Sequence, residues 1–259
     1  MLAADVTGAG PRLVLLHGFT QTGRSWGRLP ARLAGHHEVV TVDLPGHGRS
    51  SSVAADLWAT ARLVAEAGGR ADYLGYSMGG RVALHLALAR PDLVERLVLV
   101  GATAGIDSAA DRAERRAADE ALAAGIERDG VDAFIERWLA GPLFATLPRD
   151  AAALESRREN TAAGLASSLR AAGTGTQEPL WGRLGAITAP VLLVVGERDA
   201  RFTLLAERMQ RAWGGPAEIA SIPGAGHAAH LEQPDAFAEA VERFLHGHHH
   251  ASPAASSSP

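Results

Sequence analysis

Short, continuous apolar runs alternate along the first hundred residues with longer segments whose apolar positions recur at helical spacing. Continuous apolar runs are typical of strands in a parallel sheet that is covered on both faces. Because the loops between the two kinds of segment are short, the pattern predicts a right-handed α/β arrangement. The predicted strands are residues 12–16, 38–42, 71–74 and 96–100, and the predicted helices are residues 25–34, 57–67 and 82–89.

The alternation stops near residue 107 and resumes near residue 190. The interval contains no convincing strand, and we predict helices at residues 110–126, 131–139, 151–161 and 163–172. We predict a core in two parts, residues 1–107 and 185–246, separated by a helical cap at residues 108–184. The second part has predicted strands at residues 190–195 and 217–222 and predicted helices at residues 203–213 and 234–245.

The end of the chain, residues 247–259, is rich in His, Ala, Ser and Pro and is predicted to be disordered. The histidine cluster that begins at His246 could bind metal adventitiously, but a flexible end is the favoured interpretation. No basic segment followed by an apolar stretch opens the chain, and no apolar run reaches 18 residues. We therefore expect no signal peptide, no membrane span and a cytoplasmic location.

Composition narrows the possible functions of this 259-residue chain. The hydrophobic content of 47% and the charged content of 21% fit a globular protein. The net charge of -4 provides no overall positive field for nucleic acid. Because the chain has no cysteine, disulfides, a thiolate nucleophile and cysteine metal ligands are excluded.

Ser77 stands at the centre of a G-x-S-x-G pattern, between a predicted strand and a predicted helix. This strand–turn–helix context is where such a serine acts as a nucleophile or base. The helix that follows directs its N-terminus at the serine, which favours negative charge there. The alternative is an ordinary glycine-rich turn.

A reactive serine needs an imidazole to take its proton and an acid to orient that imidazole. Asp199 follows the predicted strand at residues 190–195, and His227 follows the strand at residues 217–222. The carboxyl ends of parallel strands meet at one sheet edge, so both side chains should lie beside Ser77. The order Ser77, Asp199, His227 is that of α/β-hydrolase triads.

Other assignments stay open at this stage. Glu197 could be the acid, with Asp199 only capping a helix, and His230 competes with His227 as the base. The backbone N–H groups of Phe19 and Met78 are the predicted oxyanion hole, on position alone.

Several longer segments carry a family resemblance: LHGFTQTG, DLPGHGRS, GYSMGGRVAL, DRAERRAADEALA, FIERWLAGPLFATL, SRREN, LRAAGTGTQEPLW, GERDARF and GAGHAAH. With them the chain resembles the 2-succinyl-6-hydroxy-2,4-cyclohexadiene-1-carboxylate synthases of menaquinone biosynthesis, a branch of the α/β-hydrolase superfamily. The resemblance implies an α/β-hydrolase fold with a mostly parallel sheet and a helical cap. Only residues 2–10 precede the first clear strand, which leaves the first hairpin of the family in doubt.

The resemblance also implies a reaction and a set of ligands. Family members are lyases that eliminate pyruvate from 2-succinyl-5-enolpyruvyl-6-hydroxy-3-cyclohexene-1-carboxylate, with no metal and no organic cofactor. The partner is then a small polycarboxylate, and the protein is a monomer or a small homo-oligomer. The family's substrate-binding positions are matched by Arg81, Arg115, Arg157, Tyr76 and Trp138.

The arginines suit that substrate because a guanidinium fork matches a carboxylate. Arg116 or Arg158 could replace its neighbour if the cap register is one residue off. Tyr76 and Trp138 could equally be core residues. The alternative enzyme is a serine hydrolase, either an esterase or a carbon–carbon bond hydrolase. The alternative of another class is a non-catalytic binding protein, against which an intact triad argues.

Overall fold

The computed structural model describes residues 1–247 and places seven strands in one sheet. In chain order the strands are β1 (Ala4–Thr7), β2 (Arg12–Leu16), β3 (Glu38–Val42), β4 (Ala71–Tyr76), β5 (Val94–Val100), β6 (Val191–Gly196) and β7 (Ala217–Ile222). Across the sheet they run β1-β3-β2-β4-β5-β6-β7, and every pair is parallel except β1 with β3. The predicted, mostly parallel α/β sheet is confirmed.

Strand β1 forms in the short N-terminal segment, but its partner in the sheet is β3 and not the next strand, β2. Residues 4–7 pair antiparallel with residues 39–42 of β3 and form one edge of the sheet. The strand is short and mostly exposed, so it lacks the continuous apolar run that marks the other early strands. Its pairing with β3 is a long-range contact that a local pattern does not reveal.

All nine predicted helices occur in the predicted order, with changes at their ends, and a further short helix at residues 229–232 was not predicted. They are α1 (Leu29–Leu33), α2 (Leu57–Gly68), α3 (Met78–Ala89), α4 (Ala109–Asp129), α5 (Val131–Leu139), α6 (Leu154–Arg158), α7 (Ala162–Ala172), α8 (Ala200–Ala212), α9 (Ala229–Glu232) and α10 (Pro234–Gly247).

Two predicted helices are shorter than the pattern indicates. The helix expected at residues 25–34 is confined to α1, because Pro30 has no N–H to donate to the preceding turn. The helix expected at residues 151–161 is confined to α6. It begins after Ala153, whose left-handed φ of 53° interrupts any helix that would start earlier.

The strands are apolar throughout because both faces of the sheet are covered. In β2, Leu13 and Leu15 pack toward α1 and α10, while Val14 and Leu16 pack toward α2 and α3. All four side chains are fully buried. Alternate residues of one run thus enter two different layers of the core.

Helices α4 to α7 lie between β5 and β6 and form the cap, with no strand among residues 101–190. The cap has a small apolar core of its own, in which Ile126, Phe134 and Leu165 are buried. At the other end of the chain, Gly247 is the last residue of α10, so the predicted disorder does not begin at residue 247. The rest of the predicted tail, residues 248–259, lies outside the described residues.

No helix within residues 1–247 is both long and apolar enough to cross a membrane. Within the same residues no cluster of three or more histidine or carboxylate side chains is arranged to hold a metal ion.

Candidate active site

Ser77 lies on a tight turn between β4 and α3. Its backbone has φ 50° and ψ −104°, a region that costs a non-glycine residue roughly 1–3 kcal/mol. The Ser77 N–H donates to Val100 O at 2.8 Å, which ties the turn to β5. At Gly79 a side chain would collide with the backbone of Leu16, so only glycine lets α3 approach β2 this closely.

The three predicted triad residues form one hydrogen-bonded chain. His227 Nε2 lies 3.2 Å from Ser77 Oγ, and His227 Nδ1 lies 2.9 Å from Asp199 Oδ2. Since a carboxylate only accepts, Nδ1 carries the proton and Nε2 is left to accept from the serine hydroxyl. The His227 side chain is 1% exposed, so its contacts with both partners are shielded from water.

The contacts of the competing residues differ from those of the predicted triad. Asp199 caps α8 as well, because its Oδ1 accepts from Phe202 N at 3.2 Å while Oδ2 faces His227. Glu197 instead accepts from Gly224 N at 2.8 Å and holds the turn before His227. His230 is buried against the Tyr76 ring at 4.4 Å and makes no contact with Ser77.

Phe19 and Met78, whose N–H groups are the predicted oxyanion donors, line the same cavity as Ser77. Met78 is the first residue of α3, so its N–H has no acceptor within the helix. The N–H groups on either side of Phe19 are occupied: Gly18 donates to Gln21 Oε1 and Thr20 to His47 Nε2. No hydrogen bond among residues 1–247 uses the Phe19 N–H itself. The oxyanion role stays a prediction that this arrangement permits.

The cavity has a volume of about 730 Å³ and lies between the sheet edge and the cap. The core contributes Ser77, His227 and Phe202, and the cap contributes Trp138 and Leu143. Its size suits a small molecule rather than a macromolecule.

Two of the predicted arginines meet in this cavity. Arg81 is 7% exposed, and its Nη1 donates to Ala172 O at 2.8 Å. Burial, together with repulsion from Arg115, lowers the pKa of Arg81 to about 10, so it remains charged at neutral pH. Arg115 pairs with the buried Asp119 at 2.8 Å. Asp119 thus pairs with Arg115 alone, and the charge of Arg81 is left without an ion pair among residues 1–247.

The third predicted arginine is placed differently. Arg157 is 1% exposed but does not line the cavity. Its Nη1 donates to Thr20 Oγ1 and its Nε to Ala152 O at 2.7 Å, while Nη2 is buried without a partner among residues 1–247. Burial lowers the pKa of Arg157 to about 10. Its substrate-binding role stays a prediction.

The register alternatives lie on the surface. Arg158 pairs with Asp132 and Glu136, as expected for a solvated helix face. Arg116 is exposed and does not line the cavity, whereas Arg115 does. The structure therefore favours Arg115 and Arg157 as the residues that point inward.

The two predicted aromatic residues also differ from each other. Trp138 lines the cavity and stands edge-on to Phe19 at 5.5 Å, and its buried Nε1 has no partner among residues 1–247. Tyr76 is 2% exposed and packs between His227 and His230, outside the cavity lining. Substrate contact by either residue stays a prediction.

Sequence reasoning missed two aromatic rings beside the triad histidine. Phe202 lies 4.4 Å from the His227 ring and Phe144 lies 6.3 Å from it. A signal existed for Phe202, because it belongs to the GERDARF segment three residues after Asp199. Phe144 comes from the cap, and nothing near it in sequence indicates contact with His227.

Three buried histidines surround the loop after β2. Burial lowers the pKa of His17 to about 4 and those of His47 and His230 to about 3. His17 Nε2 accepts from Leu44 N at 3.0 Å, which joins the loop after β2 to the loop after β3. These histidines are neutral at physiological pH and act as structural acceptors and donors.

Comparison with known proteins agrees with this fold. The model of the alpha/beta hydrolase family matches residues 13–240. The 2-succinyl-6-hydroxy-2,4-cyclohexadiene-1-carboxylate synthase of Serratia proteamaculans is 32% identical, and the match covers 95% of this chain and 98% of the relative.

Two solved structures extend the comparison. MenH from S. aureus is 30% identical with a TM-score of 0.88, over 95% of this chain and 98% of that one. A thermophilic esterase from Thermogutta terrifontis is 25% identical with a TM-score of 0.83, over 94% and 92% of the two chains.

Proposed function

Because the chain belongs to the α/β-hydrolase family and is a homologue of 2-succinyl-6-hydroxy-2,4-cyclohexadiene-1-carboxylate synthases, we propose that it catalyses that lyase reaction. The proposed substrate is 2-succinyl-5-enolpyruvyl-6-hydroxy-3-cyclohexene-1-carboxylate, and the second product is pyruvate. The substrate carries three carboxylates, on the ring, on the succinyl group and on the enolpyruvyl group.

The observation that carries the proposal is the pairing of a triad with two arginines in one cavity. Arg81 is buried and forms no ion pair with any carboxylate among residues 1–247. Such a cation is far better solvated when an anion occupies the cavity. A neutral ester gains nothing from this charge, whereas a polycarboxylate does.

The reaction is an elimination that begins at a carbon acid. The ring carbon that carries the succinyl group is next to a ketone, so its proton is acidic. Loss of this proton forms a double bond at carbon 2, moves the ring double bond to carbon 4, and breaks the bond from carbon 5 to oxygen. The group leaves as the enolate of pyruvate, which takes up a proton at its methylene carbon and becomes the ketone.

Each group of the site has a role in these steps. His227 accepts the Ser77 hydroxyl proton, so that Ser77 Oγ can take the proton from the carbon acid. Asp199 stabilises the imidazolium that results. The N–H groups of Phe19 and Met78 donate to the ketone oxygen as negative charge develops there. Arg81 and Arg115 bind substrate carboxylates and fix the ring above Ser77.

A serine hydrolase is the second candidate. The hydrogen-bonded chain of Ser77, His227 and Asp199 would serve nucleophilic attack on an ester equally well. The likeness to a solved esterase favours the same alternative. The two functions differ in whether an acyl group ever becomes attached to Ser77.

One experiment separates the candidates. Purified protein is incubated with the enolpyruvyl substrate, pyruvate is followed by a coupled assay, and a p-nitrophenyl ester serves as the control. Mass spectrometry of the quenched reaction then examines Ser77. We expect pyruvate release without a covalent adduct. Ester turnover with no pyruvate release, or an adduct that carries part of the substrate, would replace the lyase proposal with the hydrolase.

A further inference from the structure

Thr20 follows the predicted oxyanion donor Phe19 and has an unusual backbone. Its φ is 69°, one of only three positive values among the non-glycine residues of the described chain. The left-handed region is unfavourable for a β-branched residue, so such a conformation persists only where neighbours hold it in place. Thr20 is also fully buried.

Three side chains hold every polar group of Thr20. The loop after β3 supplies His47, whose Nε2 accepts from the Thr20 N–H at 3.3 Å. The cap supplies the other two. Asn160 Nδ2 donates to Thr20 O at 2.7 Å, and Arg157 Nη1 donates to Thr20 Oγ1. We call Arg157, Asn160 and His47 the Thr20 clamp.

The cap side of the clamp is itself well anchored. Arg157 Nε donates to Ala152 O at 2.7 Å, and Asn160 also donates to Arg157 O at 2.9 Å. Asn160 Oδ1 accepts from Gly48 N at 2.9 Å, which joins the cap to the loop that carries His47. The clamp therefore connects two segments of the core with the end of α6.

We propose that Arg157 and Asn160 are positioning residues that fix the Thr20 backbone and thereby aim the Phe19 N–H at the oxygen that becomes negative during the reaction. The peptide plane between Phe19 and Thr20 cannot turn while all three polar groups of Thr20 are held. The Phe19 N–H belongs to the next plane toward the N-terminus, between Gly18 and Phe19, and this plane is held as well because Gly18 O accepts from Gln21 N at 3.1 Å and from His17 Nδ1 at 2.8 Å. The clamp fixes the plane on the other side of Phe19.

This inference rests on the proposed function and gives Arg157 a role other than binding a substrate carboxylate. Its guanidinium is directed at Thr20 and lies outside the lining of the cavity. A cap residue then contributes to charge stabilisation without touching the substrate. The oxyanion hole is then complete only while Arg157 and Asn160 of the cap are bonded to Thr20.

The test compares Arg157→Met, Arg157→Lys and Thr20→Val in the full chain, on the lyase substrate and on a neutral p-nitrophenyl ester. Arg157→Met and Thr20→Val each remove the contact between the two side chains. A small displacement of a catalytic group lowers turnover by roughly 10- to 100-fold. We expect that loss in kcat on both substrates, with KM nearly unchanged, and partial recovery with Arg157→Lys.

The double variant Arg157→Met/Thr20→Val should be no worse than the poorer single variant, because both changes break one contact. Arg158→Met is the matched control, since Arg158 is the neighbour of Arg157 but pairs only with Asp132 and Glu136 on the cap surface. It should leave kcat and KM unchanged on both substrates. If Arg157→Met does not fold, Thr20→Val alone still carries the test, because it is nearly isosteric.

Two outcomes overturn the proposal. A rise in KM confined to the lyase substrate would make Arg157 a substrate ligand, and multiplied losses in the double variant would mean that the two residues act separately.

Labelling of Ser77 by a fluorophosphonate gives a readout that does not depend on the native reaction, because its transition state also places a negatively charged oxygen in the oxyanion hole. If the wild type released no pyruvate, the lyase assignment would fail, and slower labelling of the clamp variants would still support the clamp.

Discussion

The sheet edge and the cap hold their polar side chains in opposite ways. At the sheet edge the groups are buried and bonded to backbone or to each other, as His17 is to Leu44 N and His227 is to Asp199. On the cap most charges pair at the surface, as Arg170 does with Glu120 and Glu127. Exposed pairs contribute little to stability, whereas buried networks fix geometry. The residues that we propose to react lie at the sheet edge, and the cap contributes shape and charge to the cavity.

The apolar cores of the two regions differ as well. The sheet buries continuous runs of apolar residues on both faces, while the cap has one small apolar cluster around Phe134 and Leu165. A region with few buried apolar contacts opens at a lower free energy than the core. We therefore expect substrate to enter by local opening of the cap, with the triad undisturbed.

The largest expected effect concerns the triad at the sheet edge. Ser77→Ala and His227→Ala should each lower kcat by roughly 10⁴-fold or more while the fold is retained. The double variant should lose no more than either single variant, because the residues act as one unit. Steady-state kinetics and circular dichroism provide the measurements. Losses that multiply in the double variant would mean that the residues act independently.

The next effect concerns charge in the cavity. Arg81→Ala should lower kcat/KM for the lyase substrate by roughly 30-fold to several thousand-fold, since a buried charged hydrogen bond is lost. Arg81→Lys should recover only part of this, because lysine lacks the bidentate fork. Arg115→Ala should also lower kcat/KM for the lyase substrate. Residual hydrolysis of a neutral ester should change little.

Arg158→Ala on the cap surface is the control for these arginine variants, and it should leave both activities intact. Equal losses on the neutral ester and on the lyase substrate would count against an anion-binding role. A fall in activity that parallels a fall in stability would also count against an anion-binding role. Such a result would mean that the hydrogen bond from Arg81 to Ala172 O matters mainly for the fold.

A pair of core substitutions tests whether the cap is the less stable region. Leu193→Ala in β6 and Leu165→Ala in α7 both truncate side chains that are at most 2% exposed. Each should cost about 2–5 kcal/mol locally. We expect Leu193→Ala to lower the free energy of global unfolding, and Leu165→Ala mainly to speed hydrogen exchange in α4 to α7 and to raise KM. Equal loss of global stability in both variants would mean that cap and core unfold together.

The smallest effect per residue is a decrease in the free energy of unfolding at acidic pH. It should come from buried histidines of the core and not from the cap. His17, His47 and His230 have folded-state pKa values of about 4, 3 and 3, below the ordinary 6.5. Their contribution to stability is complete above pH 6.5 and is lost as pH falls, because the unfolded chain then binds more protons. Between the unfolded pKa and the folded pKa, each should remove about 1.4 kcal/mol per pH unit.

Denaturation in urea at about pH 7.5 and about pH 5 measures this dependence. The cap segment, residues 108–184, contains no histidine, so exchange in α4 to α7 should respond less than exchange in the sheet. His230→Gln should make the dependence shallower. An unfolding free energy that is equal at both pH values would show that these histidines are not buried as neutral groups.

Local patterns predicted those parts of the molecule whose signals are local. Strands β2, β3 and β7 have the predicted bounds, because each is a compact run that ends at polar or glycine residues. The triad followed from the same reasoning, since the carboxyl ends of parallel strands bring Asp199 and His227 together at one edge. Where the local signal was weak the prediction failed, as with the exposed strand β1 and the short helix α6.

The sequence by itself determined the α/β order, the serine turn, the chain order of the triad and the presence of a helical insertion. Only the tertiary structure decided which arginines reach the cavity. It also showed that Asp199 caps α8 while it contacts His227, and that Arg157 and Asn160 of the cap donate hydrogen bonds to Thr20. The reason is distance along the chain. Periodicity reports which face of an element is buried, but Asn160 and Thr20 are 140 residues apart, and their contact exists only after both segments pack on the same sheet edge.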